Sequence, residues 1–144
     1  MMRGTTCLSV AFAAGVLGGF ANALAVWAFG AVGITGALGI EMAPEIETQL
    51  LYRQMIWGGI WGGLFILPFM RLSIWIRGAL YSLLPSLAAL ILVLPARGAG
   101  MWGLGLGALT PLFVLFVNAI WGVVAAWWMV EAAESRGLCP TEQP

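Results

Sequence analysis

GTTCLSVAFAAGVLGGFANALAVWAFGAVGITGALGI, residues 4–40, is a run of 37 residues without one charged side chain. A helix needs about 20 apolar residues to cross a hydrocarbon core about 30 Å thick. The run therefore reads as one membrane span followed by an apolar connector. Three more charge-free gaps follow, of 17 residues after Arg53, 19 after Arg77 and 33 after Arg97. Together they predict an all-α polytopic integral membrane protein, with four transmembrane helices in an antiparallel bundle. The expected helices cover about 7–29, 45–69, 76–94 and 110–134, with glycine-rich connectors at 30–43 and 98–109.

Composition points the same way. Hydrophobic residues make up 62% and charged residues 8% of the 144, against about 45–50% and 25% in soluble domains. A soluble bundle would need helices with a charged face, and these have none. Four spans use up the chain, so residues 1–144 are read as a single membrane domain with no room for a soluble module.

The charged set narrows the chemistry. All six positive residues are Arg and all six negative ones are Glu, with Lys, Asp and His absent. Without Lys there is no Schiff base to retinal or pyridoxal phosphate. Without His the usual ligand of haem and zinc is missing, together with the commonest general base. Zero net charge offers nothing to nucleic acid. The glutamates fall at predicted helix ends, which argues against an ion-coupled transporter. No carboxylate pair lies within a span, and no nucleophile has an adjacent base. The chain is accordingly not expected to be an enzyme, and no cofactor or metal is indicated. The glycine-rich connectors lack the strand–turn–helix context of nucleotide loops.

Small residues recur at helical spacing. Ala11, Gly15, Gly19 and Ala23 form one row of the first helix, with Ala14, Gly18 and Asn22 beside it. The second helix carries Trp57-Gly58-Gly59 and then Trp61-Gly62-Gly63. Backbones approach closely along such rows, a main source of helix association in lipid. Gly15, Gly19, Gly58, Gly59, Gly62 and Gly63 are therefore a candidate helix-packing groove. Its other reading is an exposed surface for a partner helix, lipid tail or pigment. Pro44 is expected in the first turn of the second helix, with Glu45 and Glu47 at the positive end of its dipole.

A candidate polar core comprises Asn22, Trp61, Ser82, Ser86, Asn118 and Trp121, all near mid-membrane depth. The asparagines and serines are expected to converge around Pro85, which should kink the third helix and free the Tyr81 carbonyl. The cluster reads either as cross-helix hydrogen bonding or as a small polar cavity for a solute or a cofactor headgroup. Trp27, Trp57, Trp75, Trp102, Trp127 and Trp128 fall nearer the interfaces, where tryptophan is enriched. Thr110-Pro111 should open the last helix, and Gly137 and Pro140 should stop it.

With four spans, Arg3, Arg71, Arg77 and Arg136 share the side of the termini, against Arg53 and Arg97 on the other. That imbalance predicts cytoplasmic termini in a bacterial inner (plasma) membrane. Cys7 and Cys139 stand at opposite ends of the sequence without metal spacing, and are expected to be unpaired thiols. A cleavable signal peptide is the rival reading of the first helix, but the apolar run outlasts an h-region of about 7–15 residues. Phe20-Ala21-Asn22-Ala23-Leu24 faintly echoes Phe116-Val117-Asn118-Ala119-Ile120, too short a match to establish a repeat.

The expected role is non-catalytic: an accessory or assembly subunit packed against other membrane helices, as a homo- or hetero-oligomer among membrane lipids. The rivals are a small channel or carrier for an uncharged or lipophilic solute, and a lipid-, quinone- or carotenoid-binding protein.

Overall fold

The computed structural model describes residues 2–67, 72–134, 137 and 139. The expected end of the second helix at 68–69 and the expectations placed on Arg71, Arg136 and Pro140 lie outside these residues, as do the side chains of Arg3 and Glu134. Regular structure among the described residues is helical throughout, and three helices are long and apolar enough to cross a membrane: Gly4–Ala31, Ile74–Ala96 and Thr110–Ala132.

Helix α1 (Met2–Ala31) runs for 30 residues because nothing in it, neither proline nor charge after Arg3, interrupts the apolar run. Gly33 ends it with φ of 78°, a left-handed conformation that glycine adopts without steric cost. A short turn, α2 (Ile34–Ala37), follows. Helix α3 (Thr48–Gly62) tightens into a 3-10 turn over Gly63–Ile66.

Pro44, Glu45 and Glu47 do not form the first turn of α3. The helix begins at Thr48 after an extended Glu47, which makes no side-chain cap bond. The Glu41 N–H instead donates to the Leu106 carbonyl at 2.7 Å, drawing the preceding stretch across the second connector.

Residues 74–96 form one interrupted rod: α4 (Ile74–Tyr81), α5 (Leu83–Ala88), a π-helical turn at Ala89–Val93, and α6 (Leu94–Ala96). Pro85 has no N–H for the Tyr81 carbonyl, and the α-ladder breaks next to it, at Ser82. Helix α7 (Thr110–Met129) starts with Pro111 in its first turn, where the missing donor costs nothing.

Packing gives the sequence of neighbours α3, α1, α7, then the α4–α6 rod. Along α1 and α3, Ala11 meets Gly62, Gly15 meets Gly58 and Gly19 meets Gln54, so the two run in opposite directions. Helices α1 and α7 oppose each other likewise, with Asn22 beside Asn118 and Gly15 beside Trp121. One core lies near the chain ends, where Ala11, Ala14, Phe65, Tyr81, Trp121, Ala125 and Met129 are buried together. Two smaller clusters lie toward the connectors, around Val26, Ile40, Phe113 and Val117 and around Leu90, Leu94, Ala99 and Val114.

The cysteines are not free thiols. Cys7 and Cys139 form a disulfide with Cα atoms 5.0 Å apart. Distance in sequence hid this pairing; helices running in opposite directions bring the two ends of the chain together.

Candidate functional site

Three helices meet at one indole. Trp121 of α7 is almost fully buried, and its Nε1–H donates to the Gly15 carbonyl of α1 at 3.1 Å. That carbonyl is otherwise an acceptor within its own helix; the indole, which has no water to turn to in hydrocarbon, shares it. Glycines make the seat. A β-carbon on Gly18 would lie 2.7 Å from the indole Cδ1, and one on Gly58 would lie 3.0 Å from its Nε1. The Phe65 ring lies tilted against the indole, with ring centroids 6.0 Å apart.

Five of the six candidate groove glycines lie at the α1–α3 contact. A β-carbon on Gly15 would strike the Gly58 carbonyl, and one on Gly19 would strike that of Gln54. On Gly62 it would strike the carbonyl of Ala11, and on Gly59 it would meet the Phe12 ring at 2.6 Å. Gly63 stands apart, with open space where its β-carbon would be. The groove is thus occupied by the protein's own first helix. A second close approach, Gly78 against Gly122, joins α4 to α7. Lone glycines in apolar helices were its only sequence trace.

The polar residues divide into two groups. Asn22 donates from Nδ2 to the Val117 carbonyl at 2.9 Å and to Asn118 Oδ1 at 3.2 Å, linking α1 to α7. The serines stay within their own rod: Ser82 Oγ donates to the Ala79 carbonyl at 2.6 Å, and Ser86 Oγ to the Ser82 carbonyl at 2.7 Å. Neither hydroxyl takes up the Tyr81 carbonyl or reaches an asparagine. A serine on a helix has a backbone acceptor three or four residues back, so it needs no partner on another helix.

The asparagine pair and Trp121 form the floor of a cavity of about 920 Å³. One wall is α3, with Arg53, Trp57 and Trp61. The other is the rod, with Pro85, Ala88, Leu92 and Arg97. Residues 41–44 and parts of the second connector, including Ala99 and Leu106, close the end opposite the disulfide. The α3 segment and the rod meet near the chain ends, where Phe65 packs edge-on against Tyr81 at 5.1 Å and the Tyr81 hydroxyl donates to the Leu67 carbonyl at 2.8 Å. Farther along they part, and the gap is the cavity.

Its lining is mostly apolar, with a few polar groups at the floor and charges at the connector end. That composition is typical of small-molecule pockets, and the volume falls at the upper end of their range of about 300–1,000 Å³. Trp61 and Trp121 line the cavity while also packing against the core near the chain ends. Arg53, Gln54 and Arg97 were not among the candidate site residues read from the sequence, although Arg53 precedes Trp57 by one helical turn. No group of metal-binding side chains occurs among the described residues.

Comparison with known protein families, curated proteins and solved structures finds no match for the chain.

Proposed function

We propose that the protein crosses the membrane four times and binds a lipophilic molecule in the cleft between α3 and the α4–α6 rod. The observation that carries this is the cavity of about 920 Å³, framed by Trp57 and Trp61 on one side and Leu92 on the other. A ligand diffusing in the bilayer reaches such a cleft from the side, without crossing the headgroup layer.

Parity supports the fourth crossing. Three crossings would leave residues 7 and 139 on opposite sides of a membrane, whereas their Cα atoms are 5.0 Å apart. The segment left to cross is 48–66. Its 15 α-helical and four 3-10 residues give a length of about 30 Å at 1.5 and 2.0 Å per residue, the thickness of the hydrocarbon core. An antiparallel arrangement of the four follows.

The accessory-subunit role expected from the glycine rows loses its main support, since Gly15, Gly19, Gly58, Gly59 and Gly62 are taken up inside the chain. The disulfide favours an orientation opposite to that favoured by the arginine count. Such bonds persist in oxidising compartments, so the termini belong on the outer face and Arg53 and Arg97 on the cytoplasmic one.

The test is direct. Protein purified in a mild nonionic detergent should carry about one lipophilic molecule per chain, recoverable by solvent extraction and identifiable by mass spectrometry. Ala89→Trp, which fills the cleft, should abolish its retention, while Leu84→Trp on the exposed side of the rod should not. Recovery of no stoichiometric lipophile from either the wild type or the Leu84→Trp variant would sink the proposal.

A further inference from the structure

We propose that the ligand is a single-chain amphiphile with a phosphate-monoester head, clamped between Arg53 and Arg97 while its chain lies along Trp57, Trp61 and Leu92. This rests on the ligand-cleft reading and adds the chemistry of the head.

The two arginines come from opposite walls of the cavity, both at its connector end. Among the described residues neither guanidinium group has an ion-pair or hydrogen-bond partner. Two positive charges lining one cavity repel each other. An anion between them removes that repulsion and supplies both with acceptors. Glu41 is the third charged residue of the lining, so two positive and one negative leave a net charge of +1.

Each guanidinium is a planar fork that can grip an oxyanion through two parallel hydrogen bonds. A carboxylate has two oxygens, and one such fork uses both. A phosphate monoester has three terminal oxygens and can engage two forks from opposite sides. Two arginines therefore favour phosphate over carboxylate.

Volume limits the tail. A methylene takes up roughly the space of one water, about 30 Å³. The cavity of about 920 Å³ then has room for one chain of about fifteen to twenty carbons and a head. The head would lie at the membrane interface, where Arg53 and Arg97 keep contact with water, and the tail in the apolar gap below.

The test uses delipidated protein in nonionic detergent, with tryptophan fluorescence as the readout, since Trp57, Trp61 and Trp121 line the cavity. The probes are hexadecyl phosphate, hexadecanol, hexadecyltrimethylammonium and inorganic phosphate. Hexadecyl phosphate should bind at least about tenfold more tightly than hexadecanol, and the advantage should shrink with added salt. Inorganic phosphate alone should compete only weakly.

Arg53→Gln and Arg97→Gln should each remove most of the advantage of the phosphate over the alcohol. Equal affinity for the phosphate and the alcohol would overturn the clamp but leave the cleft standing. Binding of neither would overturn the cleft as well. Preference for the trimethylammonium probe would make Glu41 the head's partner and also overturn the clamp. The comparison of probes on wild-type protein decides the head's charge even if a glutamine variant fails to fold.

Discussion

The end of the molecule that holds Cys7 and Cys139 is filled, whereas the end formed by the two connectors has two small buried clusters beside a cavity. At the first, Phe65, Tyr81 and Trp121 interlock, α3 and the rod touch, and a covalent bond ties the chain ends. At the second, the same two segments have separated around a cavity, and the connectors hold each other through the Glu41–Leu106 hydrogen bond. The contrast divides the labour within one small chain. Where lipid supplies no hydrophobic drive, stability has to come from close packing and specific bonds, and these are concentrated at the filled end and along α1. The other end is left free to accommodate something else.

The largest effect should come from the seam that supports both ends. Gly15→Leu puts a side chain into the Gly58 carbonyl and the Gly62 backbone. It should cost about 3 kcal/mol or more, read as loss of the thermal transition in detergent. Gly63→Ala, with open space at its β-carbon, should leave that transition in place. If Gly15→Leu melted like the wild type, the seam would not be the support.

Removing the disulfide should come next. Cys7→Ser should lower stability by about 2–4 kcal/mol and make it insensitive to reductant. The same bond tests orientation. In intact cells, a membrane-impermeant thiol reagent should label Cys139 only after treatment with an impermeant reductant. Labelling confined to permeabilised, reduced cells would restore cytoplasmic termini.

A matched pair of enlargements compares the ends themselves. Ala125 is fully buried in the filled core, whereas Ala89 faces the cavity. Ala125→Leu should destabilise by about 1–3 kcal/mol and Ala89→Leu by less than about 0.5 kcal/mol, both by thermal denaturation. Equal costs would mean that the cavity end is in fact packed.

The smallest effect belongs to the asparagines that floor the cavity. A double-mutant cycle on Asn22→Leu and Asn118→Leu should give a coupling of about 0.6 kcal/mol, and at most about 1.7. Ser86→Ala should be additive with Asn22→Leu, because its hydroxyl is satisfied by Ser82 on its own helix.

How much of this was legible in the sequence follows from the range of each interaction. The charge-free runs announce apolar helices because hydrophobicity is a property of each segment alone. The Gly15–Gly19 and Gly58–Gly62 rows announce close approach, but sequence does not say whether the partner is in the same chain. The asparagine pair could be placed by depth along the two helices. The cavity could not be read, because it exists only where two helices fail to meet. Nor could the disulfide, since its partners come together only once the intervening helices are arranged. Arg53 and Arg97 counted only toward orientation in the sequence; that both line one cavity is visible only in the fold.

The bond between Cys7 and Cys139 also has a meaning in time. Cys7 leaves the ribosome before α3 to α7 have been made, and Cys139 only after α7. Their partnership can be sealed only when α7 has arrived beside α1. The oxidised form therefore serves as a receipt for α7 having docked beside α1. Electrophoresis without reductant would sort mature chains from those stalled midway, with no antibody or activity assay needed.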